Sequence, residues 1–356
     1  MKIRQLFILI VLVGTAFAVH AEAKSNSWIS KKTKFVGDYI ERLRLKRLDT
    51  TYVVLPERRW MASVSSNFAG IDGRVKGSNV PIYGNVNVDM KTGLNGNMTL
   101  SASYRGYGIN YSFDIAKSYS SDLSIQSNGS TFGGEFRQHT TEGMHGTIDA
   151  SQVPGELGIK EKDVKVKATL VDAYYVFNPK RFSYAAAMTQ SAIQKRSCGS
   201  PIAFLTFINA AMTTNNDSIK YRLRNIKKIE IYQVAAGLGY GYNFTPNHGR
   251  FLLHGSLIPM VVFFNKNFAK LDQKVNLPAP DGSGFVEHTF EVSSEIKNRH
   301  KYFLTGIARL AASYHITDQF LVALTTQLNN INFTSNTGLR IEMNDWLLKG
   351  SLRYRF

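Results

Sequence analysis

From Trp60 onward, apolar and polar residues alternate with a period of two and almost without interruption. Trp60, Ala62, Val64 and Phe68 alternate with Ser63, Ser65 and Asn67, and Tyr107, Ile109, Tyr111 and Phe113 with Gly108, Asn110, Ser112 and Asp114. In the second half, Val234 to Phe244, Tyr302 to Ile316 and Phe320 to Phe333 repeat the pattern over longer stretches. It is cleanest in the last residues, where Trp346, Leu348, Gly350, Leu352, Tyr354 and Phe356 share one face and Leu347, Lys349, Ser351, Arg353 and Arg355 the other. A period of two places successive side chains on opposite faces of a strand, so each strand divides an apolar environment from a wet one. Upstream the period is different: Phe35, Val36, Tyr39, Ile40 and Leu43 recur at helical spacing among basic residues, which predicts a short amphipathic helix.

The pattern yields about 12 strands (range 10–14), several longer than the roughly 9–11 residues that cross a membrane. No strand is apolar throughout, against a parallel sheet covered on both faces. The expected fold is all-β, an antiparallel transmembrane up-and-down β-barrel. The terminal strand, ending on Phe356, resembles the closing strand of bacterial outer-membrane β-barrels. Arg105-Gly106 and Asn128-Gly129 mark hairpin turns, and Thr245–Gly249 and Thr317–Gln319 are short links. Ala211–Lys228, Asn265–His300 and Thr334–Asp345 are long and polar, so they are expected to face outward, with the C-terminus periplasmic. In that orientation Thr140–Lys165 falls on the periplasmic side or folds into the lumen, and Asp72–Asp89 has no assigned place. Trp60, Trp346 and Phe356, at strand ends, are the expected membrane-interface aromatics.

Three segments follow. Residues 1–23 have a basic start, an apolar core and small residues before Lys24, the parts of a secretory signal peptide. Residues 24–56 hold the basic helix and a lead-in, and 57–356 the barrel. Export with only Cys198 excludes an internal disulfide framework. The formal net charge of +17 comes without a nucleic-acid-binding motif, so the expected anionic partners are outer-membrane lipids and lipopolysaccharide phosphates. The C-terminal strand is the expected contact with the barrel-assembly machinery.

Between Tyr174 and Pro201 the alternation falters. Asn178-Pro179-Lys180 reads as a tight turn between two strands, and Ala185–Ala187 as small residues on both faces of one strand. Phe177-Asn178, Phe182-Ser183-Tyr184, Ala185–Ala187, Gln190, Gln194 and Ser197–Ser200 together resemble a family of Bacteroidetes proteins known only as a domain of unknown function. The resemblance implies a signal peptide, a barrel-like fold and no assigned activity.

The one arrangement suggesting catalysis is His254-Gly255-Ser256, where a histidine and a serine two apart share a strand face. It resembles the His-x-Ser of outer-membrane phospholipase A, although Leu257 stands where that family has asparagine and no orienting asparagine can be registered from sequence. His139, Glu142 and His145 form a loop cluster, but no histidine shows metal-ligand spacing, and no cofactor motif appears. Arg105, Arg309, Lys349, Arg353 and Arg355 are candidate lumen cations, with Asp114, Asp172 and Glu342 as acidic partners. Paired, they brace a closed interior; unpaired, they line an anion-preferring pore. The leading expectation is a non-catalytic outer-membrane barrel, mostly blocked, serving as a narrow channel or a structural or surface component. The alternatives are a lipid-modifying barrel enzyme using His254 and Ser256, and a soluble periplasmic barrel with an inward apolar pocket for a lipid.

Overall fold

A computed structural model describes residues 48–356 apart from 81–83, 93–94, 115–118, 151–152, 247 and 279–284; the expected signal peptide and the helix expected around Phe35–Leu43 lie outside the described residues. The first half runs β1 (Val53–Val54), β2 (Trp60–Val80), β3 (Gly84–Thr92), β4 (Asn95–Tyr104), β5 (Tyr107–Asp114), β6 (Ser120–Asn128), β7 (Phe132–Thr141), β8 (Met144–Ala150), β9 (Val153–Ile159) and β10 (Val164–Val176). After a short helix, α1 (Tyr184–Met188), come β11 (Ile193–Gln194), β12 (Cys198–Thr214), a second helix α2 (Asp217–Arg222), β13 (Ile226–Phe244), β14 (Phe251–Pro278), β15 (Phe285–Glu295), β16 (Phe303–His315), β17 (Phe320–Thr334) and β18 (Arg340–Arg355). Among the described residues, β2, β4–β7, β10, β12–β14 and β16–β18 form a closed antiparallel barrel of 12 strands. Closure is between the first and last of these, in register from Met61↔Arg355 to Lys76↔Arg340.

Parity along each strand decides which way its residues face. Leu257, Leu304, Leu310 and Leu352 point outward and are more than half exposed, whereas Ser65, Asn67, Asp172, Arg309, Arg353 and Arg355 point inward and are buried. Among the described residues, the wall thus carries apolar side chains outward and many of its polar ones inward.

The strand ends at Trp60 and Phe356 define the near rim, where the two residues exchange backbone hydrogen bonds. Short turns gather there. The β4–β5 hairpin turns through Arg105 and Gly106, both at positive φ (51° and 89°), the backbone twist a two-residue turn between antiparallel strands requires. This corrects the expectation that Arg105 faces the lumen: it lies in a rim turn, with its guanidinium over the Tyr104 ring.

Far-side links differ from the expected loops. Much of what reads as loop is strand: β14 continues to Pro278 and pairs with β15, and β12 and β13 are joined through α2. Asp72–Asp89 is the upper half of β2 turning into β3, and Thr140–Lys165 carries β8 and β9, which extend the sheet from β3. Both segments thus lie at the far end, correcting the periplasmic or luminal placement expected for Thr140–Lys165; the short-turn, long-link asymmetry holds there too.

This extension buries an apolar layer. Val88 and Met90 of β3, Met144 and Ile148 of β8, and Ile219 of α2 pack with Ile71 and Val166 from the barrel wall. Just inside it, Leu170 and Ile208 from one side of the barrel pack with Ile331 from the other. The far part of the lumen is crossed by side chains rather than open.

Candidate functional site

The near mouth is filled by residues 177–197. β10 ends at Val176, and Asn178 turns the chain inward, its carbonyl accepting from the Phe182 and Arg181 amides. Ser183 caps α1, its Oγ accepting from the Ala186 amide at 3.1 Å. Phe182, Tyr184 and Ala185–Ala187 are buried. The alanine run is therefore helix inside the barrel, not strand, because alanine has high helix propensity and its small side chain fits a crowded lumen. Likewise, Asn178-Pro179-Lys180 leads into this insert rather than joining two strands.

Phe182 and Tyr184 join a core formed with Phe204, Ile258, Met260 and Ile307 from the barrel wall. Below them, β11 pairs with β1, and Val53 packs with Ala186, Ala187, Ala192 and the inward-facing Leu252. The lead-in thus covers the insert from the near side.

Buried polar groups lock the insert to the wall. Arg309 donates to Tyr184 Oη and to Asp172 Oδ2, both at 2.9 Å, while Thr206 Oγ1 donates to the other Asp172 oxygen at 2.9 Å. Arg353 donates to the Thr189 carbonyl at 2.8 Å and Arg355 to the Gln190 carbonyl at 2.6 Å. Asn243 Nδ2 donates to the Ser183 carbonyl (2.9 Å) and to Gln194 Oε1 (3.1 Å), which also accepts from the Ser183 amide. A charge this deeply buried persists only with partners, and here Arg353 and Arg355 find theirs in the insert's own backbone.

Above the insert lies a polar cavity of about 140 Å³. One wall is a ladder of amides and hydroxyls: Asn67 to Thr99 (2.6 Å), Thr99 to Ser112 (2.6 Å) and Asn110 to Ser124 (2.8 Å). Charges line the same space: Arg137 of β7 meets Asp345 of β18 at 2.8 Å, and His139 meets Asp122 at 2.5 Å. Lys349 and Glu135 also line the space.

The sequence candidates separate accordingly. Arg309, Lys349, Arg353 and Arg355 come together around the insert and the cavity. Asp114 does not join them: at the far end of β5, its carboxylate accepts the Tyr119 amide at 2.7 Å. Glu342 pairs with Arg340 at 2.5 Å, far from the insert. His139, Glu142 and His145 are no cluster either, since Glu142 pairs with Lys165 and His145 lies on β8. Trp60 and Phe356 stack at the near rim, with ring centroids 6.5 Å apart. Trp346 does not open its strand, which starts six residues earlier; it lies where the outer face of β18 changes from Leu348 and Leu352 to Asn344 and Glu342.

His254 acquires the partner that sequence could not register. Asn243 sits opposite it on the neighbouring strand, its Oδ1 2.7 Å from His254 Nδ1. Yet His254 Nε2 and Ser256 Oγ have no hydrogen-bond partner among the described residues. The imidazole is enclosed against Phe182 and Tyr184, with ring centroids 6.1 and 5.5 Å away. An orienting asparagine is present, but no base–nucleophile contact is formed. Tyr184 and Gln194 stand in the block that carries the family resemblance, but their contacts with the wall had no sequence signal; Asn243, a polar residue in the inward row Gly237, Gly239, Gly241, was not singled out.

No curated protein sequence matches the chain. Among solved structures, the outer membrane protease OmpT from Escherichia coli is similar with a TM-score of 0.37 and 11% identity, over 85% of this chain and 97% of that one. The toluene transporter TodX of P. putida gives 0.29 and 7% over 84% and 90%, and the outer membrane protein OprG from Pseudomonas aeruginosa 0.26 and 10% over 85% and 98%. The closed antiparallel barrel of this chain stands on its own strand pairing, with β18 joined to β2. A family model matches residues 47–356, a span that takes in all the described residues, and the protein belongs to that family, the Domain of unknown function (DUF4421).

Proposed function

We propose that this protein is an outer-membrane barrel with a filled interior, a non-catalytic structural or surface component rather than an open pore. The observation that carries this is the insert 177–197, held across the near mouth by Arg309, Arg353 and Arg355. The apolar layer at the far end acts in the same direction. The outward Leu, Tyr and Phe residues face lipid, with Trp60 and Phe356 at the periplasmic interface and Trp346 at the outer one. Basic residues beyond that level, such as Arg74 and Lys76, meet lipopolysaccharide phosphates, and the terminal strand is read by the barrel-assembly machinery. Planar-bilayer recording tests the closed state: the purified protein is expected to show no steady conductance, and a stable ohmic conductance in the unaltered chain defeats the proposal.

One observation favours a second reading, a lipid-modifying enzyme: the Asn243–His254 contact beside Ser256. The enclosed imidazole and the missing serine contact count against it. Phospholipid turnover that falls on His254→Ala and on Ser256→Ala would restore it.

A further inference from the structure

We propose that the near face of the barrel carries a docking site for an acidic peptide segment, built from Arg181, Arg196, Lys180 and Lys195 around Tyr52. These residues come from the lead-in and from the two ends of the insert and are brought together by backbone pairing. The Asp49 amide donates to the Lys180 carbonyl at 2.9 Å, the Lys195 amide donates to the Tyr52 carbonyl at 2.7 Å, and β1 pairs with β11 beside them. The guanidinium carbons of Arg181 and Arg196 lie 5.0 and 5.7 Å from the centroid of the Tyr52 ring. One aromatic ring thus organises two guanidinium forks, which lowers the entropy lost when they grip a carboxylate.

Among the described residues, the site is short of negative charge. All four basic residues are exposed. Among the described residues, the carboxylate that pairs with the cluster is Asp49, 3.5 Å from Arg181 Nε and already committed to the Thr51 amide (3.1 Å) and hydroxyl (2.6 Å). Among the described residues Arg196, Lys180 and Lys195 have no carboxylate within ion-pair distance. Paired guanidiniums bind carboxylates in a bidentate fashion, and clustered arginines are the usual readers of acidic motifs.

Location favours a peptide over a lipid headgroup. The lead-in carrying Tyr52 lies beneath the insert, with Val53 buried against Ala186, Ala187 and Leu252 inside the mouth. The cluster is therefore on the underside of the segment that fills the barrel, facing the aqueous compartment rather than the lipid-facing wall.

The test uses the full chain in detergent micelles and a fluorescein-labelled octaglutamate peptide, followed by anisotropy. Saturable binding is expected that weakens as salt rises from about 50 to about 300 mM. The pair R181A and R196A should weaken it about five- to tenfold, as expected for two exposed charge contacts. Lysine at both positions should restore part of the loss, and an unchanged boiled-versus-unboiled gel shift shows that the variants are folded. Binding that is absent, or equal in the alanine variant, overturns the proposal. So does preferential binding to phosphatidylglycerol vesicles that the same substitutions abolish, since that assigns the cluster to lipid headgroups.

Discussion

At the scale of single residues, the most consequential group is Arg309. It is nearly fully buried, joins Asp172 of β10 to Tyr184 of the insert, and lies 5.1 Å from the Phe204 ring centroid. Substituting methionine preserves volume but leaves Asp172 buried with only Thr206 as a partner. Breaking one side of a buried pair costs about 3–5 kcal/mol. Arg309→Met is therefore expected to lower the temperature at which the folded, fast-migrating gel band disappears. Adding Asp172→Asn should recover part of the loss, because the uncompensated charge goes with it; a double variant as unstable as the single one contradicts this account. A second prediction concerns Gly70, where a Cβ would lie 2.6 Å from the Trp346 indole. Gly70→Val should displace that ring and shift tryptophan emission to longer wavelength. Such pairings mark the limit of sequence reading. That Arg309 and Arg353 face inward follows from the parity of their strands. Their partners do not, because Arg309 and Asp172 are 137 residues apart and Arg137 and Asp345 are 208 apart. Only closure of the barrel brings such pairs together.

At the scale of elements, the insert 177–197 is where the period-two rule fails and where the lumen is decided. Its sequence looks irregular because its hydrogen bonds are divided among a short helix, the two-residue pairing with β1 and inward side chains of the wall, none of which has a period of two. The block by which the chain resembles its family is this same segment, and Ser183, Tyr184, Gln190 and Gln194 within it make the contacts described above. The elements also differ in how firmly they hold it. Tyr184 and Phe182 are anchored in an apolar core, whereas the turn at Thr189 and Gln190 is held chiefly through carbonyls by Arg353 and Arg355. Those two arginines sit two apart on one strand face and repel each other, so removing both relieves like-charge strain while freeing the turn. R353A with R355A should lower thermal stability less than Arg309→Met and yet produce brief conducting events in planar bilayers. Silence in the double variant, with a folded barrel on gels, would mean that the apolar layer at the far end closes the lumen without help from this turn.

At the scale of the whole molecule, the outer surface separates a membrane barrel from a soluble one. On β18 the apolar face runs from Phe356 to Trp346, ten residue steps along a strand paired with β2 and β17. At about 3.4 Å per residue and a tilt near 45°, that span is about 25 Å high, the height of the apolar band in outer-membrane barrels. Beyond it the same face of β2 carries Asp72, Arg74 and Lys76, which suit water or headgroups and not hydrocarbon. This band was legible in the sequence, because parity alone determines it, and its consequence can be measured at one position. Leu310 is 58% exposed, midway along β16, with Leu304 toward one end and Tyr314 toward the other. If lipid surrounds it, Leu310→Lys places an ammonium near the bilayer midplane and costs about 2–4 kcal/mol of folding free energy in phosphatidylcholine vesicles. If water surrounds it, the same substitution replaces an exposed leucine with a soluble residue and is neutral to within about 0.5 kcal/mol. Arg74→Ala, above the band, should be near neutral in either case. Reversible urea titration in vesicles distinguishes the outcomes, and a neutral Leu310→Lys would remove the membrane from this account while leaving the barrel intact.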